Sequence, residues 1–135
     1  MLSVTSEYAL RAMIYLARSP SGRPVSGREI AEWTGVPSKY LSKVLGDLVR
    51  GGLLESSPGK NGGFRLRRAA RDLALIDVLK PFERFEARRC PFGEGLCDDS
   101  NPCLAHDRWK EVVETQLRFL QETTLHEVAI GEEER

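Results

Sequence analysis

Apolar residues recur at helical spacing through the first half of the chain and predict three short helices. The first run, from Tyr8 to Ala17, is apolar on nearly every side, so we expect neighbouring elements to cover it from more than one direction. The second helix begins at Ser26, where the Ser26 hydroxyl and the Glu29 carboxylate form a capping box, and it ends at Gly35. Its inward face is predicted to carry Ile30, Ala31 and Trp33.

The third helix separates an apolar face from a polar one. We expect Ser38 to be its N-cap and the Gly51-Gly52 pair to end it. Its apolar face, spaced i, i+3, i+4 and i+7, consists of Leu41, Val44, Leu45 and Leu48. Two short helices joined by a tight glycine turn, the second with a basic outer face, are typical of a helix-turn-helix.

A β-hairpin is predicted directly after the third helix. Residues 53–56 and 64–67 form two short strands, the second alternating apolar and basic residues, and the connection over 57–63 is dense in turn residues. Such a hairpin with a basic tip is the wing of a winged helix-turn-helix. A further short helix is expected over 73–80, where Pro81 ends it.

The second half of the chain is dominated by one predicted amphipathic helix from Pro102 to Val128. A helix of this length has little of its own chain left to pack against, so a second copy is the simplest partner. The alternative is a helix that folds back across the first helix within one chain. The apolar stripe includes Val112 and Leu125, and the predicted dimer contacts are Trp109, Val113, Leu117 and Leu120. The fold class is therefore mostly α, a winged helix-turn-helix with a two-stranded wing and a long C-terminal dimerisation helix.

Composition and charge narrow the class of protein. The 135 residues, 41% hydrophobic and 30% charged, are typical of a globular chain, and neither an apolar run of about 20 residues nor an export signal is visible. We therefore expect a cytoplasmic protein without membrane contact. The net charge of zero hides an asymmetry: residues 1–68 carry 11 Lys and Arg against 5 Asp and Glu, a balance of +6, and residues 69–135 carry −6. The basic half favours phosphate binding.

These features together predict contacts with double-stranded DNA. A polar, basic helix face fits the major groove, and glycines at a wing tip permit close approach to the backbone. Ser38 at a helix start can hold a phosphate, whereas Tyr40 either contacts DNA or supports the helix. From the third helix the candidates are Ser38, Lys39, Tyr40, Ser42 and Lys43. From the wing they are Lys60, Asn61, Gly62 and Arg65.

Three cysteines lie close together in a region rich in Gly, Pro, Asp and Asn. Cys90, Cys97 and Cys103 are separated by six and five residues, and His106 follows three positions later. Structural zinc sites usually pair cysteines two to four residues apart, so the wider gaps suit a loop around something larger than one ion. Thiolates favour iron–sulfur clusters, copper(I) or zinc. Spacing alone predicts a metal site and leaves the metal open.

The chain resembles the family of bacterial winged-helix regulators that includes IscR, NsrR and RirA. The resemblance covers nearly the whole chain and rests on the segments 6–12, 30–31, 38–41, 51–54 and 58–66, followed by the three cysteines and Trp109. It implies a homodimer through the C-terminal helix, ligand-dependent binding to palindromic promoters, and a [2Fe–2S] or [4Fe–4S] cluster held by Cys90, Cys97 and Cys103. For the fourth ligand it offers two candidates, His106 and Glu7 of the partner subunit.

The sequence hypothesis is a homodimeric DNA-binding repressor whose promoter binding is controlled by an iron–sulfur cluster that senses nitric oxide, redox state or iron supply. The predicted organisation is a DNA-binding domain over 1–80, a cluster-binding loop over 81–106 and a dimerisation helix with its tail over 107–135. The main alternative is a winged-helix regulator with a zinc or thiol-only switch, and a module for protein contacts also remains open. An enzyme is not expected, because no nucleophile–base pair or phosphate loop is visible.

Overall fold

The computed structural model describes residues 2–19, 22–85, 92 and 104–131. Within these ranges the fold is mostly helical with one two-stranded antiparallel sheet, as predicted. The elements in chain order are α1 (Val4–Arg18), α2 (Gly27–Thr34), α3 (Ser38–Arg50), β1 (Leu54–Ser57), β2 (Gly63–Leu66), a 3-10 turn (Ala70–Asp72), α4 (Leu75–Leu79), α5 (His106–Glu122) and α6 (Leu125–Ala129). No helix in the described ranges is long and apolar enough to span a membrane.

Helix α1 is the centre of the core. Ala9, Ala12 and Met13 are fully buried, and the helix packs against α2, α3, α4 and α6. The prediction that neighbours cover this helix from several directions is therefore confirmed, and elements of the same chain supply the cover. Ser3 caps its start by accepting a hydrogen bond from the Ser6 amide.

The second helix begins and ends at the predicted residues, but only the Ser26 half of the capping box is seen, because the Glu29 carboxylate accepts from the Tyr15 hydroxyl instead. Its aromatic residue also points the other way. The Ser26 hydroxyl accepts a bond from the Glu29 amide at 3.1 Å, and Gly35 ends α2 in the left-handed conformation, with φ 74°. The prediction that Trp33 faces inward is wrong, because the side chain is 64% exposed. Instead, the Trp33 ring lies on Tyr15 of α1, with 5.0 Å between ring centroids.

The start of α3 also differs from the prediction in its detail. Ser38 is the first residue inside the helix, and Pro37 occupies the N-cap position without a side-chain hydrogen bond. The Pro37 carbonyl accepts from the amides of Tyr40 and Leu41, both at 3.0 Å. The fixed φ of proline suits this extended position, so the serine is moved one place into the helix.

The wing forms in the predicted place and gains a third partner. β1 pairs with β2 from Leu54–Leu66 to Ser57–Gly63. On the other side of β2, Val25 exchanges two backbone hydrogen bonds with Phe64. The hairpin is thus attached along its outer edge to the segment that leads into α2.

The prediction of one continuous helix to Val128 is wrong. α5 ends at Glu122, Thr123 is extended, and Thr124 forms a bridge with Ala74 before it caps α6. The two β-branched threonines favour extended and capping positions over a helix interior. The break turns α6 back onto α1 and buries Leu125 completely. The alternative to a dimer, a C-terminal helix that folds back across the first helix within one chain, is therefore confirmed for α6.

Candidate nucleic-acid interface

The two faces of α3 are separated as the sequence predicted. Leu41, Val44, Leu45 and Leu48 are buried in the core, each at most 3% exposed. The opposite face exposes Ser38, Lys39, Tyr40, Ser42 and Lys43. The Ser42 hydroxyl donates to the Ser38 carbonyl at 3.1 Å, so its oxygen remains an acceptor. The structure therefore places all five predicted residues of this helix on one open surface.

A cleft of about 260 Å³ connects this surface with α2 and the wing. It is lined by Gly27, Arg28, Ser38, Leu41, Ser42, Leu45 and Phe64. Arg28 was not among the predicted contacts, although its position in the first turn of a capped helix is a usable signal for phosphate binding. Its guanidinium lies 3.3 Å from Glu32, and both side chains are exposed, so the pair is weak and a phosphate can replace it.

The polar side chains of the wing tip are exposed to solvent, whereas its glycines allow close approach between backbone segments. Lys60 and Asn61 are exposed, and Arg65 forms a cross-strand ion pair with Glu55. A Cβ atom on Gly62 would lie 2.0 Å from the Ser57 carbonyl oxygen, and one on Gly63 would lie 2.3 Å from that of Val25. The glycines are thus required by the fold of the wing itself, before any contact with DNA is considered.

Tyr15, Glu29 and Trp33 form a small cluster beside the helix-turn-helix. The Tyr15 hydroxyl donates to the Glu29 carboxylate at 2.6 Å. This bond, together with desolvation and the negative charge of Glu29, raises the pKa of the Tyr15 phenol above its ordinary value of 10.0. Tyr15 therefore keeps its proton and links α1 to α2 at neutral pH.

The predicted cluster ligands are only partly within the described residues. Cys90, Cys97 and Cys103 lie outside them. Glu7 is exposed on α1, and His106 is 7% exposed at the first position of α5. In the part of the chain that the structure describes, no group of three or more His, Cys, Asp or Glu side chains has the arrangement of a metal site.

The predicted dimer contacts differ in their exposure. Trp109, Val113 and Leu117 are half-buried on α5, and the Trp109 ring meets Phe92 edge-on at 5.4 Å. Leu120 is 2% exposed and belongs to the core of its own chain. The prediction that Leu120 lies in the dimer interface therefore needs correction, because its side chain offers almost no surface to a partner. Val112 and Phe119, in contrast, are more than half exposed.

Comparison with known proteins places this architecture in a family. The family model described as Rrf2, iron-dependent transcriptional regulator, matches residues 2–130. The chain belongs to the Rrf2 family. Its relatives are transcriptional regulators with a DNA-binding fold and are not enzymes.

Three relatives of this Rrf2 chain illustrate the range of the family. IscR of Klebsiella pneumoniae, an HTH-type transcriptional regulator, is 32% identical over 133 residues, which are 98% of this chain and 81% of IscR. The structure of T. potens IscR matches with a TM-score of 0.74 and 26% identity, over 95% of this chain and 85% of that chain. The oxidized form of CymR from Staphylococcus aureus matches with a TM-score of 0.76 and 28% identity, over 96% of each chain.

Proposed function

We propose that this Rrf2 regulator acts as a homodimeric repressor at palindromic promoter sites and that an iron–sulfur cluster controls its affinity for DNA. The observation that carries the proposal is the pairing, in one chain, of an exposed basic recognition surface with three clustered cysteines. The iron-dependent character of the matching family and the similarity to IscR support an iron-containing ligand.

The donor set suits an iron–sulfur cluster. Cys90, Cys97 and Cys103 supply three soft thiolates, the usual protein ligands of cluster iron. When bound, the cluster would supply reversible electron transfer and an iron that a small molecule can reach. The proposal covers a [2Fe–2S] or a [4Fe–4S] cluster and a signal of nitric oxide, redox state or iron supply.

For the fourth ligand, exposure favours Glu7 over His106. The His106 side chain is packed against its own chain, so a metal would have to compete with that packing. Glu7 is exposed on the outer side of α1, where it can reach a second subunit. We therefore assign the fourth ligand to Glu7 of the partner subunit. A carboxylate is a weak ligand of cluster iron, which suits a position where a small molecule must bind.

The exposed apolar side chains of α5 support the homodimer. Val112 and Phe119 are 55% and 54% exposed, and Trp109, Val113 and Leu117 beside them are half-buried. A stripe of this kind on one helix is normally covered by a partner. A dimer would also hold two α3 helices at a fixed separation, as two half-sites about 34 Å apart require.

On each half-site, we assign α3 to the major groove and the wing to the neighbouring backbone or minor groove. Lys39 and Lys43 would contact phosphates or guanine edges, and Ser38 and Arg28 would bind phosphates at the two helix starts. Tyr40 is 57% exposed, which favours contact with DNA over a role in support. Lys60, Asn61 and Arg65 would contact DNA from the wing.

The second candidate is a thiol-only or zinc switch with the same DNA-binding surface. It is favoured by the similarity to S. aureus CymR, whose matched structure is an oxidized form. Clustered cysteines that bind no iron can react reversibly with oxidants. This candidate shares every DNA contact with the first and differs only at the cysteines.

Anaerobic purification of the full chain tests the proposal. We expect visible absorbance from thiolate-bound iron, with iron and acid-labile sulfide in similar amounts and little zinc. DNA affinity, measured as a function of salt on the protein's own promoter, should then change when a chelator removes the iron. Colourless protein with zinc, or with reactive thiols and no metal, would favour the second candidate. Absence of any salt-dependent DNA binding would reject both.

A further inference from the structure

The carboxylate of Glu83 joins two segments that are far apart in sequence. Its Oε1 atom accepts the backbone N–H of Ser3 at 2.9 Å and the hydroxyl of Ser6 at 2.8 Å. Both donors belong to the start of α1, and Ser6 lies 77 positions before Glu83. We call these three residues the α1 clamp.

The α1 clamp combines a buried hydroxyl with a carboxylate at the start of α1. The Ser6 side chain is completely buried, and its hydroxyl also accepts a bond from the Ser3 hydroxyl at 3.1 Å. A carboxylate at a helix start is favoured by the helix dipole, and a buried hydroxyl must keep an acceptor to remain stable. The clamp therefore fixes the position of the first turn of α1.

The backbone of Glu83 is hydrogen-bonded to the end of α4. The amides of Phe82 and Glu83 both donate to the Leu79 carbonyl at 2.9 Å, which closes a tight turn at the end of α4. Cys90 follows seven positions after Glu83 in the sequence. Glu83 thus ties the segment that follows α4, which leads in sequence toward the three cysteines, to the start of α1.

The first turn of α1 borders the recognition helix. A cleft of about 520 Å³ lies between them, lined on one side by Val4, Thr5 and Tyr8 and on the other mainly by Tyr40, Lys43 and Val44. Tyr40 and Lys43 are on the DNA-facing surface. A shift of the first turn of α1 therefore changes the support beneath two of the proposed DNA contacts.

We propose that Glu83 is a positioning residue for DNA binding, which holds the first turn of α1 against α3 through Ser3 and Ser6. A displacement of the chain before Cys90 then reaches the recognition helix through this carboxylate, beside the direct packing of α4 on α1. The transmission of a cluster signal along this route rests on the proposed function, whereas the effect of the clamp on DNA affinity does not.

The test compares variants in protein treated with a chelator and reductant, so that no cluster is needed. Glu83→Ala removes the acceptor, and we expect operator affinity to fall about five- to tenfold with the salt slope unchanged. Glu83→Gln keeps an acceptor oxygen in place and should restore most of the affinity. Ser6→Ala should weaken binding less than Glu83→Ala, and the double variant should be no weaker than Glu83→Ala alone.

Hydrogen exchange of the same proteins separates positioning from plain stability. We expect faster exchange in Glu83→Ala both at the start of α1 and over residues 38–46. The control is Glu114→Ala, which removes one exposed carboxylate from α5 and should change neither affinity nor exchange. Unchanged DNA affinity in Glu83→Ala, or a loss that Glu83→Gln shares fully, would overturn the proposal.

Failure of the proposed cluster control would give a different experimental result from failure of the α1 clamp. If the chelator does not alter the affinity of the unsubstituted protein, the cluster proposal fails, and the variants still decide the role of Glu83. If the chelator alters it, we expect that change to shrink in Glu83→Ala. The clamp would be rejected if Glu83→Ala had normal DNA affinity and the chelator changed that affinity as much as it does in the unsubstituted protein. The cluster proposal would then stand.

Discussion

Val25 and Phe64 exchange both of their backbone hydrogen bonds at 2.8 Å, and this pair joins the wing to the segment before α2. The approach is so close that a Cβ atom on the adjacent Gly63 would lie 2.3 Å from the Val25 carbonyl oxygen. The position of the wing relative to the helix-turn-helix therefore depends on a residue that has no side chain.

We expect Gly63→Ala to destabilise the protein by about 1–3 kcal/mol and to weaken DNA binding, because the added methyl group must push the wing away from Val25. Gly59→Ala is the matched control: its φ of 94° is also positive, but nothing lies within 4 Å of the added carbon. Urea denaturation would measure both. Equal losses in the two variants would mean that backbone conformation, and not the contact with Val25, makes glycine necessary.

Lys39→Ala and Lys43→Ala should each weaken DNA binding by about 1–3 kcal/mol if the lysine contacts a base, or lower the salt slope by about one unit if it contacts a phosphate. Both side chains are on the exposed face of α3. Lys80→Ala, at the end of α4, removes an exposed lysine outside both proposed interfaces and serves as the control. Titrations at several salt concentrations would distinguish the two kinds of contact, and unchanged binding in both variants would reject α3 as the recognition helix.

Arg28→Ala should lower the salt slope by about one unit, because Arg28 borders the cleft at the start of α2 and α3. The Glu32→Gln variant should bind DNA more tightly, since it frees Arg28 from its exposed ion pair. The same salt titrations measure both variants. A Glu32→Gln protein that binds no more tightly than the unsubstituted one would argue against a phosphate contact by Arg28.

Leu117→Asp should disrupt the proposed dimer, whereas Leu120→Asp should destabilise the folded subunit. Leu117 is half-buried on α5, so an aspartate there should dissociate the proposed dimer and leave each subunit folded. Leu120 is 2% exposed within its own chain, so an aspartate there should cost on the order of 4 kcal/mol of folding free energy. Sedimentation and circular dichroism would separate the outcomes. A Leu117→Asp protein that remains dimeric would contradict the interface assigned to α5.

The cluster ligands are tested by spectroscopy of anaerobically purified variants. Each of Cys90→Ala, Cys97→Ala and Cys103→Ala should lose or alter the cluster. We expect Glu7→Ala to shift its spectrum with little change in stability, because Glu7 is exposed. His106→Ala should mainly lower stability, since the imidazole is buried. The reverse pattern, with a spectral change only in His106→Ala, would make the histidine the fourth ligand.

The sequence alone determined those features that depend on a few neighbouring residues. Ser26 starts α2 and Gly35 ends it, the leucines of α3 separate its two faces, and the turn residues after β1 form the wing. Each follows from capping, from helical periodicity or from the freedom of glycine, and none needs a distant partner. The basic face of α3 was predictable for the same reason.

Tertiary structure alone decided which apolar side chains have partners. Trp33 fits the pattern of an inward residue, yet α1 offers Tyr15 at the surface and the indole packs there. Leu120 and Leu125 fit one apolar stripe, but Leu120 is buried in the last turn of α5, which packs on α4, and the break at Thr123 brings Leu125 into the core from α6. The α1 clamp joins residues 77 positions apart. Such contacts depend on how the whole chain packs, because local patterns specify which residues seek burial and not where they find it.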